Sequence, residues 1–298
     1  MVNLKLLDYV STNGVKFKSP VKTADLVSFR IGGVGNIAVY PNSITQLCDI
    51  IEIVNNDKFV ILGNGSNCYF TDGYYDGIII VTKNINSVSV CDNVITAECG
   101  AAMNNVCKIA KEKSLSGLEF AYGIPGTIGG VIYMNASAYD SSISKVVLKS
   151  TVLDISSGKI FEINNKEHKF GTKKSIFKTE KLCLLSTEIC LSLGEKSVID
   201  EKMSNLLLKR KKSQPLNLPS AGSVFVKPET DYASRLIDMA GLKGYSVGGA
   251  QISQKHAGFI VNLGGASAAD LQALTNYIKD EIYKRFNVEL KEEIIYLE

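Results

Sequence analysis

The 298-residue chain carries 33 Lys+Arg against 30 Asp+Glu, a formal charge of +3, with 45% hydrophobic and 21% charged residues. That is the composition of a soluble globular protein of about two domains at roughly 150 residues each; it excludes disorder and collagen-like repeats and lacks the basic footprint of a nucleic-acid binder. Seven cysteines without a C-x-x-C pair, and only two histidines, argue against a disulfide framework and most catalytic metal sites, so the thiols read as buried small hydrophobes of a reducing, cytosolic compartment.

Along the chain, Lys5 and Asp8 interrupt the apolar core of about 7 to 15 residues that an export signal needs. A short strand is predicted over 36–40. Pro41-Asn42-Ser43 then opens a helix with Ile44, Leu47, Ile51 and Val54 on one face. A buried strand over 59–62 runs into Gly63-Asn64-Gly65-Ser66-Asn67, followed by a strand over 77–81. A helix over 101–113 turns Val106, Ile109 and Ala110 inward and ends rich in lysine, as the helix dipole favours. The uncharged stretch 120–139 is broken by Gly123, Pro125, Gly126, Gly129 and Gly130, which rules out a continuous membrane helix. Short β-like runs over 146–153, 159–163 and 182–193 precede a helix over 198–212 and a proline-punctuated boundary at 214–220. The last long helix, 267–286, opens with a Ser267/Asp270 capping box and shows Leu271, Leu274, Ile278 and Ile282 on one face.

The glycines of 63–67 let backbone N–H groups approach an anion that a Cβ would block, although a plain glycine turn between strands explains that loop equally well. It is not a dinucleotide fingerprint, because Cys68 stands where the third glycine belongs. The second cluster, GIPGTIGG at 123–130, shifts the balance: two such loops suit an extended anion such as a pyrophosphate. No G-x-S-x-G elbow exists, and neither histidine lies in a hydrolase context. Lys209 to Lys212 reads by itself as a solvated helix end.

Taken in order, SFRIGG (28–33), LGNGSN (62–67), GIPGTIGG with MNASAY (123–139), SAGSVF (220–225), GLKG (241–244), GGAQISQKHAGFIVN (248–262) and the L-x-x-E of Leu290 to Glu293 closely resemble the UDP-N-acetylenolpyruvoylglucosamine reductase (MurB) family, from about residue 20 onward. The short connection before SAGSVF resembles its shorter-loop, type II class. The resemblance implies an α+β protein: a two-part FAD-binding region of the vanillyl-alcohol-oxidase-like (PCMH-type) fold, 1–82 and 83–200, and a C-terminal α/β substrate domain, 201–298. It implies non-covalent FAD, NADPH as donor, and a UDP-sugar enolpyruvyl ether reduced to UDP-N-acetylmuramate for peptidoglycan, and so for cell-wall growth, shape and division. A cytoplasmic monomer is expected, with no nucleic acid, membrane insertion or metal.

By the same resemblance, FAD would be held by Gly63, Asn64, Gly65, Ser66 and Asn67 of the first loop and by Gly123, Pro125, Gly126, Thr127, Gly129 and Gly130 of the second. Asn135, Ala136, Ala138, Arg210, Gln214 and Gly222 would complete the cofactor set. Ser223 matches the proton donor and Glu293 the carboxylic acid across the enolate; Lys211, Lys212, Lys227 and Ser175 would contact substrate. One departure stands out. In FGTKKSIF (170–177), Lys173 occupies the position of the family's catalytic arginine, keeping the charge but losing the planar fork that grips a carboxylate. Ser137 and Asp140 stand where glycine is frequent, and Lys227 where asparagine is. Lys173 motivates an alternative, an impaired homologue that binds FAD or a UDP-sugar as a sensor. The absence of histidine from both glycine loops argues against a covalent-flavin oxidase.

Overall fold

Two apolar cores with no residue in common organise the chain in the computed structural model, which describes residues 3–229 and 231–298. They belong to two units, each assembled from separated stretches: Met1–Ser19, Ile37–Asn64 and Gly77–Lys209 form the first, and Pro20–Asn36, Gly65–Asp76 and Arg210–Glu298 the second.

In the first unit, helix α1 (Leu4–Thr12) is capped by the Asn3 side chain, which accepts from Leu6 N at 3.1 Å, and it buries Leu6 and Val10. Lys5 and Asp8, which break the pattern of an export signal, are exposed on it. Helix α2 (Ile44–Val54) begins where the Ser43 hydroxyl accepts from Gln46 N, and it buries Leu47, Ile50, Ile51 and Val54. Strand Phe59–Leu62 pairs in parallel with Ile78 to Val81, in a sheet ordered Lys16–Lys18, Val34–Tyr40, Tyr74–Val81, Phe59–Leu62. Helix α3 (Met103–Glu112) buries Val106 and Ala110 as its periodicity predicts, with Cys107 rather than Ile109 fully inward. The glycine-rich stretch contains a six-residue helix, α4 (Ile128–Tyr133). A second, wholly antiparallel sheet runs Ile160–Asn164, Val147–Asp154, Leu182–Cys190, Val94–Glu98, Val88–Cys91. Helix α5 (Lys196–Ser213) adds Ile199 and Met203 to the first core.

Against the second sheet, His168 is fully buried and stacks on Phe170 at 4.7 Å. Its Nδ1 lies 2.8 Å from Asn164 O, so Nδ1 carries the proton and Nε2 accepts from Ser150 Oγ, also at 2.8 Å. Burial holds its pKa below the ordinary imidazole value.

The second unit sets helices α6 (Ala233–Met239) and α7 (Ala268–Phe286) with an antiparallel sheet of Ser246–Val247, Ala250–Ile252 and Ile260–Asn262. The capping box is present: Ser267 Oγ accepts from Asp270 N, and Asp270 accepts from Ser267 N. Asp72 adds a carboxylate at the same helix end, accepting from Ala268 N at 2.6 Å and Ala269 N at 3.0 Å, where the dipole favours an anion. Strand Cys68–Phe70 pairs in parallel with Ile295–Leu297, and Tyr69 stacks on Tyr296. Buried Asn262 is a clamp: its amide donates to Phe29 O and Arg30 O, and its oxygen accepts from Gly264 N and Ala266 N. Arg30 is left-handed, φ 56°, so this clamp fixes a turn that favours glycine.

Helices and strands are thus mixed as the sequence predicts. Among the described residues no helix is long and apolar enough to cross a membrane, and no three His, Cys, Asp or Glu converge as metal ligands.

Two measurements check this account. Asn262→Ala strands buried backbone groups and is expected to destabilise the protein by about 1–3 kcal/mol, read as a lower urea midpoint. His168 is neutral when folded, so its protonation favours the unfolded chain: stability is expected to fall as pH drops below about 6.5. In thermal melts at pH 7 and pH 5, His168→Gln should lose less than the parent; an equal loss would dismiss that role.

Candidate active site

The first glycine loop is shaped by what it touches. A Cβ on Gly63 would collide with Thr127 Oγ1, and the Asn64 side chain donates to Pro125 O at 2.6 Å, so in the first unit the two glycine clusters lie against each other. Gly65, left-handed at φ 61°, packs on the Leu26 carbonyl in the second unit. The second loop is pinned by backbone bonds: Met103 N to Gly126 O, Ile128 N to Ala101 O and Gly129 N to Cys99 O, with Gly123 N donating to Asn104 Oδ1. The amides of Gly123, Ile128 and Gly129 are therefore engaged within the protein, and Gly129 also leaves room for Cys99, whose carbonyl lies 3.1 Å from where a Cβ would sit. Thr127 stands at the N-terminus of α4, and among the described residues its Oγ1 is buried without a hydrogen-bond partner. A buried hydroxyl in that state costs stability unless something else bonds to it.

Glu119, four residues before Gly123, was invisible as a functional candidate. It is buried and accepts from Ser116 Oγ at 2.6 Å, Gly117 N at 3.1 Å and Lys202 Nζ at 3.5 Å. Burial pushes its pKa up, but the hydrogen bonds and the ammonium outweigh it and hold the carboxyl below its ordinary value.

After α4, Asn135 is itself left-handed (φ 43°), and Ala136 N returns to Val131 O. Ser137–Ala138 and Ser141–Ser142 form a hairpin whose two connecting residues, Tyr139 and Asp140, both have positive φ, 51° and 60°. Such a turn favours glycine, asparagine or aspartate, and Asp140 fits the second of its two positions.

Lys173 sits at the second position of another two-residue connection. Gly171 and Lys174 exchange backbone hydrogen bonds of 3.1 and 3.2 Å, and Lys173 is left-handed, φ 55°. Ser175 is buried, and its hydroxyl donates to Tyr133 O at 2.7 Å, so that group faces the protein.

In the second unit, Ser223 and Glu293 lie on neighbouring extended segments. The segment 223–226 is bordered on one side by 258–259, with Val224 N donating to Gly258 O, and on the other by 291–293, with Val226 N donating to Lys291 O and Glu293 N to Val224 O at 2.7 Å. Gly222 precedes Ser223 with φ 80°, its α-carbon facing open space. Asn67 Nδ2 donates to Glu293 O at 3.0 Å and Asn67 O accepts from Ile295 N, tying one end of the first glycine loop to the acid. Buried Arg210 donates to Gln214 at 3.3 Å, and Lys211 O accepts from the Lys255 ammonium. The Lys212 side chain is exposed. Lys227 lies 4.1 Å over the Tyr232 ring. The buried thiols are poor nucleophiles, since burial raises Cys68 and Cys99 to about 12.

Comparison with known proteins places the fold in a flavin-binding class. A family model described as "FAD binding domain" matches residues 36–164, and one described as "UDP-N-acetylenolpyruvoylglucosamine reductase, C-terminal domain" matches 214–297. Proteins named UDP-N-acetylenolpyruvoylglucosamine reductase from Caldicellulosiruptor bescii and Clostridioides difficile are 40% and 38% identical, over 97% and 98% of this chain and 93% and 96% of theirs. The crystal structure of the Thermus caldophilus UDP-N-acetylenolpyruvylglucosamine reductase superposes with a TM-score of 0.80 at 27% identity, covering 95% of this chain and 99% of that one. A berberine bridge enzyme variant shares the fold alone, at a TM-score of 0.50 and 16% identity over 64% of this chain and 44% of its own.

The chain belongs to the UDP-N-acetylenolpyruvoylglucosamine reductase family. It is an FAD-dependent oxidoreductase of that family. The residues present fit FAD: two abutting glycine loops leave little side-chain bulk, and Thr127 offers a buried hydroxyl that the protein itself leaves unbonded.

Thr127→Val removes that hydroxyl without changing shape. The FAD-free protein is expected to gain about 1 kcal/mol of stability while FAD dissociation becomes about tenfold easier, read by melting and by flavin fluorescence titration. Unchanged FAD affinity would remove Thr127 from the cofactor site.

Proposed function

We propose that the protein reduces the enolpyruvyl ether of UDP-N-acetylglucosamine to UDP-N-acetylmuramate with electrons from NADPH, in the cytoplasm, as a step toward peptidoglycan. The observation carrying this reading is that relatives bearing that reductase name align along 97% of the chain at 40% identity. In this reading 1–82 and 83–200 hold FAD, with Arg210 and Gln214 beside it, and 201–298 take the sugar nucleotide through Lys211, Lys212 and Lys227.

The chemistry supplied by bound FAD is hydride relay from NADPH to the terminal CH2 carbon of the enolpyruvyl group. Once that carbon has become a methyl group, the electron pair of the former double bond lies on the ether-bearing carbon and spreads into its carboxylate. The ammonium of Lys173 opposes this charge, and a preorganised cation counts for most where water is excluded. Ser223 Oγ delivers a proton to the ether-bearing carbon, which completes the C–H bond and consumes the electron pair. Glu293 serves the same enolate from the other side. The support for pairing Ser223 with Glu293 is the hydrogen bond from Glu293 N to Val224 O, which keeps their two segments in register.

A second reading rests on one observation, Lys173 in a left-handed turn at the arginine position: FAD is bound and reduced, but turnover fails. An anaerobic visible spectrum separates them. A flavin band that bleaches with NADPH and returns with the enolpyruvyl sugar nucleotide supports the reductase, and one that stays bleached supports the impaired homologue. Ser223→Ala is expected to bleach normally and to lose about 10²- to 10⁴-fold in turnover; normal turnover would end the proton-donor role.

A further inference from the structure

The turn that carries Lys173 is held in place by a residue of the second glycine region. Lys173 has φ 55°, a conformation that costs an L-residue of order 1–3 kcal/mol and persists only where the surroundings over-determine it. The restraints can be named. Asn135 Nδ2 donates to Gly171 O at 2.9 Å, at the first residue of the turn. Ser175 Oγ donates to Tyr133 O at 2.7 Å, just after the last. Ahead of the turn, Phe170 is stacked on buried His168, at 4.7 Å with the rings 10° apart. Both anchors thus come from α4 and the two residues after it, on the segment that continues from the glycine loop.

The Asn135 side chain is committed on both sides. While its nitrogen holds Gly171, its Oδ1 accepts from Ser144 N at 3.2 Å, and the residue is buried. An amide oxygen has a second lone pair, but the bond that reaches the Lys173 turn uses the donor side, which an anion would need. The backbone of Asn135 is left-handed as well, φ 43°, a conformation that asparagine tolerates better than most residues. One hydrogen bond therefore connects the strained backbone of Asn135 to Gly171, 36 residues on, at the start of the turn that strains Lys173.

We infer that Asn135 is a positioning residue for Lys173, fixing the turn from which the ammonium meets the enolate charge, rather than a ligand of the cofactor. The inference rests on the catalytic reading of Lys173 given above. Without the bond, the peptide between Thr172 and Lys173 is free to flip toward a turn that places Lys173 in the ordinary right-handed region, and the charge is redirected.

The experiment uses the FAD-loaded protein and stopped-flow absorbance of its two half-reactions, with Asn135→Asp, Lys173→Ala and the double variant. Aspartate keeps the acceptor for Ser144 N and the tolerance for positive φ but turns the donor into an acceptor that repels Gly171 O. FAD affinity and flavin reduction by NADPH are expected to stay within about twofold of the parent, whereas reoxidation by the enolpyruvyl sugar nucleotide slows about tenfold, and the double variant is no slower than Lys173→Ala alone. Losses that multiply in the double variant, or a weakened FAD affinity with normal reoxidation, would overturn the inference. If Lys173→Ala slows reoxidation but Asn135→Asp does not, the inference fails and the role of Lys173 stands; if Lys173→Ala is silent, both fail. Should Asn135→Asp not fold, Ser175→Ala removes the other anchor and is read in the same way.

Discussion

The contact of Gly63 with Thr127 is the constraint on which the first unit's site depends. Two segments more than sixty residues apart meet with no room for a Cβ between them, and the Asn64 side chain bonds the same loop to Pro125 O. Everything beyond follows from that closeness: α4 starts at Thr127, its carbonyl end leads to Asn135, and Asn135 reaches the turn of Lys173. The close approach of these two loops thereby also bears on where the Lys173 turn stands.

The second unit solves a different problem. Its segments are too short for long ladders, so side-chain amides and carboxylates finish the backbone bonding: Asn262 around the Phe29–Arg30 turn, Asp72 at the start of α7, and Asn67 on the carbonyl of Glu293. Such bonds are individually modest but costly to leave unmade when buried, which gives these few polar residues influence over the geometry of the Ser223 and Glu293 segments.

What was legible in the sequence was local. The Ser43 cap, the Ser267/Asp270 box and the apolar faces of α2 and α7 follow from spacing within one or two turns, and they stand where the pattern put them. The glycine stretch 123–130 reads as turns, yet its last three residues enter α4, because Cys99 O and Ala101 O accept from Gly129 N and Ile128 N and favour a helical start. Helix α1 has only nine residues, a length marginal for an isolated helix, and tertiary packing of Leu6 and Val10 holds it. Of the site, the identity of Lys173 was readable as a departure from a motif, but its left-handed backbone and its tie to Asn135 join residues that no periodicity relates. Glu119 and Asn262 were missed for the same reason, since a buried polar residue looks in sequence like an exposed one.

The parallel pairing of Cys68–Phe70 with Ile295–Leu297 bears on how the chain is made. A ribosome extending at roughly 5–20 residues per second takes roughly 11–45 s to pass from the first of these strands to the second. Throughout that interval Tyr69 and Phe70, both buried in the finished protein, lack the neighbouring strand, together with the rest of 65–76 and 20–36. The first unit's residues, by contrast, are all available before Arg210 is added. Synthesis thus exposes two early apolar segments for most of its duration, a natural demand for chaperone protection while translation is under way.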